Sequence, residues 1–282
     1  MTRLPRCARN DKFMKGLLPM DAVDYSVLDN PQASGMSFYP QRHWTETPEG
    51  AIDCGIPMED GVRLSARFFP VGLENPTVLF FYGNGETAAG YDSIAPFYNR
   101  IGVNFFVADY RGYGVSDGSP AFTLMLSDAR KVLDWLRETL KKSGFTGSLY
   151  VMGRSMGRHS AFELAVEAAD RIAGVIIESG RPNLARFTMG LEPEAAQALE
   201  AAYHAKAHSI SIPTLVIHGE MDELAPVQDA VAMHENIRAE DKRLLVIPGA
   251  GHNDLMFVGM RQYFEAIRRF VARNDGVGDQ GG

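Results

Sequence analysis

Six short apolar runs, at 77–82, 104–108, 148–152, 174–177, 214–217 and 243–247, constrain this chain more than any other feature. Each is rich in β-branched and aromatic residues and bounded by turn signals. They run nearly continuously rather than alternating, as strands buried on both faces do. Helical periodicity fills the gaps. Ala129, Val132, Leu133, Leu136 and Leu140 share one face, Ala161, Leu164, Ala165 and Ala168 another, and Tyr263, Ile267, Phe270 and Val271 line a last helix. Ahead of them, 51–58 and 62–69 flank Glu59-Asp60-Gly61, a turn signal, and read as a hairpin. The pattern predicts an α/β fold with a mostly parallel central sheet, an N-terminal antiparallel hairpin and helices on both faces. In such sheets ligand chemistry gathers at the carboxyl ends of the strands.

The same reading divides the chain. Residues 1–50, with Pro31, Pro40 and Pro48 and little periodicity, form an irregular N-terminal arm; 51–272 form one domain; 273–282 are a flexible tail. One stretch breaks the rhythm. Between Glu178 and Thr214 lies a single helical pattern, with Pro193 in its first turn and Ala195, Ala196, Leu199, Ala202 and Tyr203 on its apolar face. Residues 181–211 are therefore expected to form a small lid over the strand ends, an elongated crossover helix being the alternative.

Composition excludes several classes of partner. A net charge of −7 argues against nucleic acid, because phosphate binding wants a basic face. No apolar run approaches the roughly 18 to 20 residues of a membrane span, and none follows the N-terminal basic residues as a secretory signal would require. Arg3, Arg6, Arg9, Lys12 and Lys15 recur every three residues and so drift around a helix, which suits a solvated arm better than a membrane-binding face. Cys7 and Cys54 are read as free thiols of a cytoplasmic protein. No His, Cys, Asp and Glu cluster has metal-ligand spacing, and Gly83-x-Gly85 and Gly112-x-Gly114 lack the next glycine of a dinucleotide fingerprint. No metal or cofactor is expected. A homo-oligomer stays open.

Chemistry enters at Gly153-Arg154-Ser155-Met156-Gly157, which reads as strand, tight turn and helix with a serine at the apex. A turn this sharp strains the serine backbone and needs neighbours without side chains. A serine hydroxyl is a poor nucleophile unless a base, itself oriented by an acid, stands beside it. His252, in the glycine-opened loop Gly249-Ala250-Gly251-His252 after the last apolar run, is the expected base. His218 ends a strand and is read as structural, and His159 lies one helical turn beyond Ser155, facing away from the cleft. Asp222, in the loop closed by Pro226, is the expected acid, with Glu178 as its rival. The backbone amides of Asn84, in Gly83-Asn84-Gly85-Glu86, and of Met156 are the expected oxyanion donors. The positive end of the helix after Ser155 favours the same charge.

These motifs together resemble the α/β-hydrolase superfamily over roughly residues 50 to 272, in particular its small-lidded serine hydrolases of the depalmitoylase-like and peptidase-like kinds. Asp109-Tyr110-Arg111-Gly112-Tyr113-Gly114 is similar to that superfamily's structural turn after its fourth strand. The resemblance implies hydrolysis of an ester, thioester or amide through an acyl-enzyme, without a cofactor, and a small or medium acyl substrate is expected. A carboxylesterase or thioesterase is expected first, a peptidase or amidase on the same residues next, and a non-catalytic ligand-binding protein on the same fold as the alternative of another class. Phe187, Met189, Leu191 and Tyr203 are candidates for an acyl pocket beneath the lid, packing of the lid being the simpler role. Two departures stand out: Tyr82 occupies a usual histidine position, and Arg158 and His159 follow the elbow where small residues are usual.

Overall fold

Continuous apolar runs are satisfied only where both faces are covered, and the computed structural model, which describes residues 24–274, covers all of them but the last. The strands are β1 (Ile52–Pro57), β2 (Arg63–Phe69), β3 (Thr77–Phe81), β4 (Asn104–Ala108), β5 (Leu149–Arg154), β6 (Gly174–Glu178), β7 (Thr214–Gly219) and β8 (Lys242–Ile247). They form one sheet in the order β1-β2-β4-β3-β5-β6-β7-β8. β2 pairs antiparallel with β1 and β4, and every later pair is parallel. The hairpin and all six apolar runs are strands. β3, β4, β6 and β7 are buried throughout, whereas β8 closes the sheet as a half-exposed edge.

The helices are α1 (Pro31–Ser37), α2 (Ala95–Arg100), α3 (Phe122–Lys142), α4 (Arg158–Glu167), α5 (Pro193–His208), α6 (Val227–Asn236), α7 (Leu255–Val258) and α8 (Met260–Asn274). The apolar faces expected of α3 and α8 are buried. α4 differs, because it lies on the middle strands and is closed over by α3 and α5, so that nearly every side of it is buried. Its polar residues are paired accordingly. Glu163 lies between Arg130 and Lys206, and Ser160 Oγ donates to the Met125 carbonyl at 3.5 Å.

Two expectations need correction. The irregular arm, from residue 24 onward, is fastened to the domain. Leu28 and Phe38 are buried, and the Tyr25 ring packs edge-on against Phe122 and Tyr203. The Asp29 carboxylate accepts the Thr123 amide at 3.0 Å at the start of α3, and the Arg67 guanidinium lies 4.4 Å over Trp44. Each anchor fills a separate gap, which leaves no period in the sequence. The basic residues Arg3 to Lys15, Cys7 and the end of the tail lie outside the described residues. The second correction concerns the lid. α5 buries Leu199, Tyr203 and Ala207 against α4 and α6, as a crossover helix does. Only the loop before it, 179–192, runs at the strand ends.

The turn after β4 locks this edge of the sheet. Asp109, buried, accepts the Tyr82 hydroxyl at 2.7 Å, the Ala88 amide at 2.7 Å and the Ser65 hydroxyl at 2.5 Å. It therefore ties β2 to the end of β3 and the turn beyond it. Burial pushes its pKa up, although those hydrogen bonds pull it down. Gly114, at φ 54°, is required here, because a Cβ would stand 2.2 Å from the Asp109 carboxylate. Tyr82 is thus explained: its phenol serves this junction. Asp109→Ala should cost about 2 to 4 kcal/mol by leaving buried donors without an acceptor, read as a lower urea midpoint at unchanged m-value.

Candidate active site

Ser155 sits where two backbones meet. Ser155 has φ 49°, one of two non-glycine residues with positive φ among the described residues. A left-handed serine costs on the order of 1 to 3 kcal/mol, which the surrounding packing must impose. The constraint is visible in the flanking glycines. A Cβ on Gly157 would lie 2.0 Å from the Phe81 carbonyl oxygen, and one on Gly153 would lie 2.5 Å from the Gly157 carbonyl and 2.7 Å from Ala161 Cβ. Helix and strands approach so closely that only hydrogen fits.

The expected partners converge on this serine. His252 Nε2 is 2.9 Å from Ser155 Oγ, and His252 Nδ1 is 2.8 Å from Asp222 Oδ2. The other Asp222 oxygen accepts the Leu224 and Ala225 amides at 2.9 and 2.7 Å. Burial works against the Asp222 charge, but the bonds from His252 and Ala225 outweigh it and hold its pKa below the usual carboxylate range. An ionised Asp222 can only accept, so Nδ1 carries the imidazole proton and Nε2 is left to accept from the serine hydroxyl. The acid side chain is fully buried and the imidazole 11% exposed, so access is from the serine side.

His218 takes the structural place expected of it. It is buried, its Nε2 donates to the Ala225 carbonyl at 2.7 Å, and it backs the Asp222 loop from 3.3 Å. Glu178, the rival acid, turns away from the imidazole to Arg154 and Tyr263. The Asn84 side chain is fully engaged. Its oxygen accepts the Tyr39 amide and the Tyr113 hydroxyl, and its nitrogen donates to the Ser37 carbonyl. The backbone amide of Asn84 lies in the loop after β3 and that of Met156 in the first turn after Ser155. Both loops meet at the Gly157–Phe81 contact, which brings these two donors to the same end of the sheet.

The bulky pair behind the elbow has a place. Arg158 Nη1 donates to the Ser155 carbonyl at 2.8 Å, Nε to the Arg181 carbonyl at 2.5 Å and Nη2 to the Asn183 carbonyl at 3.0 Å. It joins the elbow to the loop after β6. Burial lowers its pKa. His159 is buried among Phe122, Phe187 and Tyr203, with Nδ1 on the Tyr203 hydroxyl. Burial holds its pKa well below the usual value, so it is a neutral packing residue.

The proposed acyl-pocket residues do not assemble into a wall. Phe187 and Tyr203 are buried in that aromatic packing, Leu191 is half-buried and Met189 is 47% exposed. An open space adjoins the residue before Ser155 and the residue after His252. A cleft of about 540 Å³ runs beside Glu86, Arg154 and Asn253, walled by Tyr91, Tyr98 and Phe257. Sequence reasoning missed this because its lining comes from β3, β5, β6, α2, α7, α8 and loops far apart in the chain. It also missed Ser179, at φ 48°, whose hydroxyl donates to the His252 carbonyl at 3.3 Å.

With its folded pKa below that of the unfolded chain, Asp222 adds stability that is complete above pH 3.8 and lost as pH falls through its depressed folded value. Asp222→Asn keeps the amide contacts but removes that titration. Its unfolding temperature should therefore fall less steeply than the wild type's as the pH drops below 3.8, as read by calorimetry across acid pH.

Residues 74–185 and 185–256 match the family described as serine aminopeptidase, S33. An uncharacterized protein of Mycobacterium tuberculosis is 29% identical over 235 residues, covering 80% of this chain and 81% of its own length. Protein bem46 of Schizosaccharomyces pombe is 28% identical over 208 residues, covering 71% of this chain and 68% of its own. Among solved structures, the Pyrococcus furiosus esterase Pf2001 superposes with a TM-score of 0.66 at 22% identity, over 83% of this chain and 98% of its own, a likeness of fold. Among the described residues no helix is long and apolar enough to cross a membrane. The strand order, the serine elbow and the family match agree: the chain is an α/β-hydrolase and belongs to the serine aminopeptidase S33 family.

Proposed function

We propose that the protein is a serine hydrolase of esters or thioesters of small to medium acyl groups, acting in the cytoplasm through Ser155, His252 and Asp222 without a cofactor. The observation that carries this is the unbroken relay from Asp222 through His252 to Ser155 Oγ, with bonds of 2.8 and 2.9 Å, ending on a strained elbow. Ser155 Oγ attacks the acyl carbon as its proton passes to His252 Nε2. The carbonyl oxygen takes the negative charge, and the Asn84 and Met156 amides face it. Collapse expels the alcohol or thiol, which takes the proton back from His252, and leaves an acyl-serine. Water then repeats the sequence, its proton passing to His252 and its oxygen to the acyl carbon, and Ser155 is released. Asp222 keeps the imidazole in the productive tautomer and supports the imidazolium.

The cleft adjoins the relay through Arg154 and Asn253, the chain neighbours of Ser155 and His252, which do not themselves line it. At about 540 Å³ it lies within the range of small-molecule sites, and its aromatic walls suit a compact acyl or leaving group. A second reading has one observation in its favour. The matching family is described as serine aminopeptidases, which favours amide cleavage at the same serine. A panel of p-nitrophenyl esters, thioesters and aminoacyl amides of graded length separates the two.

The principal test is Ser155→Ala. Ester hydrolysis should fall by at least about 10³-fold, and a fluorophosphonate should label the wild type but not the variant. Equal rates in the two proteins would remove Ser155 as nucleophile, and a wild type that neither turns over nor labels would leave a binding protein on this fold.

A further inference from the structure

Outside the relay, the residue just before the nucleophile makes directed contacts with several strand ends. Arg154 has only 11% of its side chain exposed and ends β5, the strand that delivers Ser155. Its five N–H donors fan out to three other strand ends. Nη1 pairs with Glu86, in the loop that carries Asn84. Nη2 donates to Asn253 Oδ1 at 2.8 Å and to the His252 carbonyl at 3.3 Å, both in the loop that carries the imidazole. Nε lies 3.3 Å from Glu178 Oε1 at the end of β6.

The carboxylates it meets are themselves held. Glu86 Oε2 accepts the Tyr91 hydroxyl at 2.6 Å and the Gly83 amide at 3.1 Å, and Glu178 Oε2 accepts the Tyr263 hydroxyl at 2.7 Å. Burial works against the Arg154 charge, but Tyr91, Glu86, Glu178 and Tyr263 outweigh it, so the guanidinium stays charged. The His252 carbonyl receives a second donor from Ser179.

We propose that Arg154 is a positioning residue: one buried guanidinium fastens the His252 loop and the Asn84 loop to the strand that presents Ser155. This rests on the reading of Ser155 and His252 as nucleophile and base. The physical case is that its contacts end on loops that bear reacting groups, not on the apolar core. An imidazole on a glycine-opened loop has no sheet hydrogen bonds to hold its backbone. Arg154 supplies them from the neighbour of its own partner, so serine and histidine share one reference point. Lysine keeps the charge, but a single ammonium cannot reach Glu86, Glu178 and Asn253 with the geometry of a planar fork.

The test compares wild type, Ser155→Ala, Arg154→Lys and Asn253→Ala on a p-nitrophenyl ester. Rates of the proteins that keep Ser155 are expressed per serine labelled to completion by a fluorophosphonate, which removes any misfolded fraction, and that of Ser155→Ala per protein. Arg154→Lys should lower kcat per labelled serine by about 10- to 100-fold, the scale of a misplacement near 1 Å, with KM changed by less than about threefold. Recovery of kcat to within about twofold of wild type would overturn the proposal, whatever happens to the melting temperature. So would a raised KM at unchanged kcat, since Arg154 would then serve the substrate alone. If Arg154→Lys does not fold, Asn253→Ala decides: this exposed side chain removes one arm, and kcat per labelled serine should fall about three- to tenfold, with full kcat overturning the idea. Equal rates in wild type and Ser155→Ala fail the reading of the site itself. A Ser155-dependent wild type with an unimpaired Arg154→Lys fails only the positioning role.

Discussion

Everything at the strand ends of this protein depends on one close approach between backbones. The start of α4 is pressed onto the end of β3 so tightly that a methyl group on Gly157 would reach to 2.0 Å from the Phe81 carbonyl oxygen. Nothing but hydrogen can stand there, and the chain between β5 and α4 has no room to turn except through the left-handed region, which Ser155 occupies. The strain lifts Oγ out of the sheet, where the loops after β7 and β8 can meet it. The same contact brings the loop after β3 to the elbow. One packing constraint therefore presents the hydroxyl, sets the direction of α4 and delivers a second set of backbone amides.

Around that contact several buried polar groups have directed partners. Asp109 ties β2 and β3 beneath the Asn84 loop. Asp222 takes two amides on one oxygen and His252 on the other. Arg158 joins the elbow to the loop after β6 through three carbonyls. A buried polar group left without a partner costs about 1 to 3 kcal/mol, so such networks stabilise the fold only when complete. Completeness also makes them rigid. That suits a site in which the serine, imidazole and carboxylate come from loops far apart in the chain and must still keep hydrogen-bond distances.

Much of this was legible in the residues. Strands buried on both faces leave unbroken apolar runs, and all six runs are strands of the sheet. Glycines flanking a serine after such a run, and a histidine and an aspartate after later ones, marked positions that the fold brings to 2.8 and 2.9 Å. Other features left no local trace. Residues 1–50 read as an irregular arm, and within 24–50 the anchors Leu28, Phe38 and Asp29 follow no period. Phe187 and Tyr203 suggested a pocket because they are large and apolar, yet His159 fills the space between them. A lone histidine beside an elbow carries no sign of being boxed in by three aromatic rings.

By itself, then, the sequence determined the strands, the elbow and the identities of the serine, histidine and aspartate that meet there. Each of these depends on local properties: apolar periodicity, turn chemistry and the absence of a Cβ. Tertiary structure alone decided the order of strands in the sheet, with β4 set between β2 and β3. It alone also decided that α5 packs on α4, that the open cleft lies beside Glu86 and Asn253, and that Arg154 joins four strand ends. These features are made by groups distant in the chain whose meeting depends on how helices close over the sheet. No window of sequence contains that information.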